Sequence, residues 1–124
     1  MEFATKLLGD VFLFPTIRDA DVVLMDVNED RLERTARVVD VMVERTEASA
    51  DVRTTTDRRA ALAGADYVLN MVNVGGVEPF ENEIRIPERY GVEQAIGDTH
   101  GPGGVFRGLR TLPDMLEIAR DMER

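Results

Sequence analysis

Stretches whose apolar residues recur every three or four positions alternate along this chain with short continuous apolar runs. That alternation predicts helices packed between parallel strands. Met1 to Phe14 carries Phe3, Leu7, Leu8, Val11 and Phe12 at helical spacing, and Pro15 follows. A helix ends there, because the residue before a proline is driven out of the α region. Asp21 to Asp26 (DVVLMD) reads as a short buried strand ending in an acid. Asn28 is suited to cap the next helix, with Glu29 and Asp30 in its first turn. That helix runs to about Arg45, with Leu32, Ala36, Val39 and Val43 on its inner face. Val52 to Thr56 is a more polar, β-branched strand. Asp57 caps a short helix through Leu62, stopped by Gly64. Tyr67 to Val72 (YVLNMV) reads as a second buried strand. Pro79 to Tyr90 is helical, interrupted by Pro87 and ended by Gly91. Val105, Phe106 and Leu109 form one further helical face. Thr111 caps a last helix, with Pro113 in its first turn and Leu116, Ala119 and Met122 inward.

The fold class is therefore α/β, read as a partial Rossmann-like, doubly wound parallel sheet lacking the first strand with its Gly-rich loop, with residues 1–124 as one domain or one piece of a domain. Composition narrows the function. A net charge of -9 argues against a nucleic-acid partner, since no basic cluster is present to neutralise phosphates. There is no Cys, hence no disulfide and no thiolate metal site. No apolar run approaches the ~20 residues of a membrane span, and no signal peptide opens the chain, so a cytoplasmic protein with no membrane partner is expected.

Candidate chemistry begins at Asp26. An acid at the end of a dinucleotide-binding unit's second strand accepts hydrogen bonds from the adenosine ribose and repels a 2′-phosphate, which favours NAD over NADP. A strand with a G-x-G-x-x-G turn should precede it by roughly 20 residues; the sequence before Asp26 is helix-like instead. Asn73 follows the second buried run in an N-x-G-G turn. Val92 to Arg110 (VEQAIGDTHGPGGVFRGLR) holds Asp98, Thr99 and His100 ahead of Gly101-Pro102-Gly103-Gly104. Glycines there let backbone approach a ligand and permit positive φ. His100, the only His, is more simply a hydrogen-bonding loop residue than a metal ligand. Arg107 and Arg110 are able to hold anions, but a solvated helix face is the preferred reading.

IGDTHGPGG with FRGLRTLP resembles the active-site region of the family-4 glycoside hydrolases, most of all their α-galactosidase and α-glucosidase-like branch. LLGDVFLFP, VVLMDVNEDRLERT, GADYVLNMVNVGG and IPERYG look like further family landmarks, in family order. The resemblance implies an NAD- and manganese-dependent glycosidase acting on a small-molecule glycoside by oxidation, elimination and addition, outside the two-carboxylate mechanism of most glycosidases. It implies that Asp98 is the general acid, protonated at working pH. It implies that Asp26 binds the cofactor ribose and that Asn73 lies near the sugar. Members acting on 6-phosphosugars tend to carry Arg at that position, so Asn73 favours an unphosphorylated sugar. The implied metal ligands, a Cys and a His, fall in a later part of the family, so no metal ligand is assigned to this chain.

On this resemblance the chain corresponds to an N-terminal part of a family member without its first strand. The expectation is an inactive, weakly stable piece that associates with itself or with a separately encoded remainder. Two alternatives stay open: a non-catalytic nucleotide-binding or interaction domain, and an NAD-dependent dehydrogenase of related fold.

Overall fold

The computed structural model describes residues 2–94, 96 and 100–123. They fall into two compact units, Met1–Met71 and Val72–Arg124.

The first unit contains α1 (Glu2–Leu13), β1 (Val22–Met25), α2 (Glu29–Thr46), β2 (Val52–Thr55) and α3 (Arg58–Leu62). β1 and β2 pair in parallel, from Val22 opposite Val52 to Met25 opposite Thr55. Parallel neighbours need a crossover between them, and α2 supplies it, giving a βαβ unit. Leu8 and Phe12, four residues apart on α1, share a face and pack with Val39 of α2 to form the core. Val22, Leu24 and Val52 flank it from the sheet. Burying a side chain such as Phe12 or Val39 contributes roughly 1.5–3 kcal/mol. Phe3 and Leu7, also expected on the buried face of α1, are exposed.

Two of the three expected caps form, those of Asn28 and Asp57. The Asn28 side chain accepts the Arg31 N–H at 2.8 Å, and Asp57 Oδ1 accepts the N–H groups of Arg59 and Ala60 at 2.9 and 3.3 Å. One expected strand does not form. Tyr67 to Val72 is irregular, and among the described residues the sheet consists of β1 and β2 alone. An apolar, β-branched run becomes a strand only where a neighbour supplies the ladder. Without one, Tyr67 is 91% exposed and Leu69 is 61% exposed.

The second unit is built on α4 (Val77–Glu88) and α5 (Pro102–Met122). Gly75 and Gly76, at φ +85° and +76°, turn the chain into α4, and Gly91 at φ +77° follows its end. Pro87 lies within the last turn of α4 rather than interrupting it earlier. The segment after Gly101 differs from expectation in two ways. First, Gly103 and Gly104 lie inside α5 and have no positive φ. At Gly103 the missing side chain serves packing: a Cβ there would run into the Glu83 carbonyl oxygen of α4.

Second, α5 is one helix of 21 residues, so Thr111 caps nothing and Pro113 sits in the interior. Pro113 has no N–H to give the preceding turn, a loss that the helix absorbs. Leu116, Ala119 and Met122 face outward rather than inward. α4, at 12 residues, is too short to cover the whole of α5, and contact concentrates near Gly103, Arg107 and Arg110. No described helix is long and apolar enough to cross a membrane.

Candidate functional site

Asp26 stands just past the C-terminal end of β1 and two residues before the cap of α2. Its side chain is 24% exposed. Arg31, one turn into α2, reaches back and grips it with two donors, Nε to Oδ2 at 2.5 Å and Nη2 to Oδ1 at 2.6 Å. The Asn28 backbone N–H donates to Oδ1 at 2.9 Å. The Arg31 hydrogen bond holds the Asp26 carboxyl below the usual carboxylate range against the opposing effect of burial, and the Asn28 bond helps. Asp26 in turn pushes Arg31 up. An ionised, half-buried acid at the C-terminal end of a parallel strand, open to one more donor, fits the adenosine ribose of a dinucleotide.

The second unit holds a groove of about 820 Å³. Asn73, His100 and Arg107 meet there with Val77, Phe80 and Val105. Asn73 arrives from the turn before α4, and His100 from the residues leading into α5. The walls are largely apolar and the polar groups few, as in small-molecule sites generally. Asn73 and His100 are exposed, so both side chains are accessible from solvent. Gln94 organises the entry to α5: its Oε1 accepts the Gly103 N–H at 3.1 Å, satisfying a donor that the helix leaves unpaired.

Arg107 and Arg110 are not on a solvated face. Glu83 of α4, 2% exposed, accepts Arg107 Nε on one oxygen at 2.9 Å and Arg110 Nη2 on the other. Arg110 Nε also donates to the Val74 carbonyl at 2.8 Å, which ties the turn carrying Asn73 to α5. The Arg107 guanidinium lies 5.0 Å from the centroid of the Phe80 ring, within cation–π range. Sequence reasoning missed Glu83. The signal available was an acid inside an otherwise amphipathic helix, which periodicity assigns to the water side.

Asp98, the proposed general acid, lies outside the described residues, as does Thr99. Among the described residues no group of three or more His, Cys, Asp or Glu is assembled that could hold a metal ion. Asp26 belongs to the first unit; Asn73, His100 and Arg107 belong to the second.

Residues 1–124 match the sequence model of a family described as Family 4 glycosyl hydrolase. An alpha-galactosidase of Rhizobium meliloti (strain 1021) is 41% identical over 120 residues, 97% of this chain and 24% of its own length. An alpha-galactosidase of Bacillus subtilis (strain 168) is 38% identical over 122 residues, 98% of this chain and 28% of its own. A solved 6-phospho-alpha-glucosidase from gut microorganisms, in complex with NAD and glucose-6-phosphate, superposes with a TM-score of 0.81 at 26% identity. The match covers 97% of this chain and 26% of that one. A 6-phospho-beta glucosidase from Thermotoga maritima with manganese, NAD+ and glucose-6-phosphate gives 0.75 at 28% identity, covering 96% and 27%. The chain thus spans about a quarter of the length of these relatives.

Proposed function

The chain belongs to family 4 of the glycosyl hydrolases, and from that premise we propose that it carries the cofactor-ribose and sugar-facing residues of an NAD- and manganese-dependent α-galactosidase or α-glucosidase. On this reading both units are parts of one Rossmann-like NAD-binding region, acting on an unphosphorylated glycoside in the cytoplasm. The observation that carries it is the placing of Asn73 on an apolar-walled groove beside Phe80 and Arg107.

Bound NAD would supply transient oxidation at the sugar C3, which makes the C2 proton removable. The chain's own residues bind and orient. Asp26 accepts a hydrogen bond from the adenosine ribose. Asn73 offers an amide to the sugar hydroxyls, and the apolar walls keep water from them. Asp98 delivers a proton to the departing glycosidic oxygen. The family's metal would polarise oxygens at C2 and C3. The described residues supply no donor cluster for it, so no step is assigned to it here.

Exposed apolar residues such as Tyr67, Val105 and Leu109 support association with further protein, a second copy included. The test of substrate class is hydrolysis by the natural protein that carries this sequence, with NAD and manganese supplied. Nitrophenyl α-galactoside and its 6-phosphate are the paired substrates. Asn73 predicts turnover of the unphosphorylated sugar in preference, and transfer of that preference to the 6-phosphate in Asn73→Arg. Preference for the 6-phosphate in the wild type contradicts it.

A further inference from the structure

The Asp26–Arg31 pair carries a consequence for which nucleotide the site accepts. A carboxylate oxygen has about two acceptor positions. Oδ1 uses both, for the Asn28 N–H and Arg31 Nη2, while Oδ2 uses one for Arg31 Nε. One acceptor position therefore remains, on Oδ2. A ribose diol chelated by an acid takes one position on each oxygen, and Asp26 has only enough for a single hydroxyl while Arg31 stays in place.

The partner changes the electrostatics too. An isolated Asp at this point excludes a 2′-phosphate by repulsion. Here the charge is balanced by a guanidinium whose side chain is 54% exposed. Two of the five N–H donors of Arg31 go to Asp26. The outward edge of the fork remains suited to an anion beside the ribose.

We propose that Arg31 is the selectivity-determining residue of this nucleotide site: paired with Asp26, it admits a 2′-phosphorylated adenosine ribose alongside the plain diol, so that NADP binds as well as NAD. The proposal rests on Asp26 being the ribose-binding acid. It departs from what Asp26 alone implies, which is rejection of NADP.

The experiment is a calorimetric titration of the natural protein that carries this sequence with NAD and with NADP, for the wild type, Arg31→Met, Arg31→Lys and Asp26→Asn. Circular dichroism verifies that each is folded. The wild type is expected to bind the two nucleotides within about tenfold of one another, and Arg31→Met to lose about tenfold or more on NADP relative to NAD, the scale of one charge-assisted hydrogen bond. Arg31→Lys, which keeps the charge, should restore part of the NADP affinity. A merely structural role for Arg31 would move both affinities together and leave their ratio alone.

The outcomes separate the two claims. If Asp26→Asn weakens NAD while Arg31→Met leaves the ratio unchanged, Asp26 keeps its role and Arg31 loses its own. If Asp26→Asn leaves NAD binding untouched, both fall. A folded wild type that binds neither nucleotide overturns both as well.

Discussion

At the scale of single residues, two carboxylates set the character of this chain, and each is defined by its arginines. Asp26 is held ionised by Arg31 at the end of β1, and the sign of its pH effect follows. A carboxyl whose folded pKa is depressed stabilises the fold fully above its unfolded value of about 3.9, and that contribution is lost as pH falls through the folded value. Arg31→Met removes the largest cause of the depression. The Asp26 carboxyl should then titrate at higher pH, read by NMR on the side-chain carbon, and the acid-unfolding midpoint should move up with it. An unchanged Asp26 titration would mean that the pair does not persist in solution. Glu83 is the more buried of the two acids, at 2% exposure. Its two arginines keep about a quarter of their side-chain surface in water. That arrangement lets one carboxylate anchor both guanidiniums while Arg110 holds the Asn73 turn to α5.

At the scale of elements, what the sequence made legible were the features with local causes. The caps Asn28 and Asp57, the α2 face around Leu32 and Val39, and the parallel β1 and β2 follow from side-chain types at fixed offsets. The misreadings have non-local causes. Tyr67 to Val72 has strand composition, but a strand is a property of two neighbouring segments, and composition reports only one. Thr111 and Pro113 form a sound local start signal, yet α5 runs through both as one helix. Gly103 looked like a ligand-approach glycine; the structure makes it a helix-approach glycine.

That last distinction is measurable. Gly103→Ala puts a Cβ into the Glu83 carbonyl and should destabilise the second unit by about 1–3 kcal/mol, as overpacking does. Gly108→Ala, five residues on in the same helix with nothing within 4 Å of its Cβ, should stabilise by about 0.5–1 kcal/mol through helix propensity. Thermal melts of the two variants read the difference. Equal effects would mean that α4 and α5 are not in close contact at Gly103.

At the scale of the whole molecule, Asp26 belongs to the first unit and the Asn73 groove to the second. Much of this site was legible in the sequence only through family resemblance. Spacing alone marks Asp26 as a strand-end acid and Asn73 as a turn residue. The groove, Gln94 and the Glu83 pair come from packing that no linear pattern encodes. On the proposed function, a redox nucleotide seated at Asp26 is required for cleavage of a glycosidic bond. The measurement is the hydrolysis rate of nitrophenyl α-galactoside by the natural protein that carries this sequence, stripped of bound nucleotide and assayed with manganese, with and without added NAD, for the wild type and Asp26→Asn. No cleavage is expected without NAD, with recovery when it is added and a higher NAD requirement in Asp26→Asn. Cleavage that proceeds equally without nucleotide would contradict it.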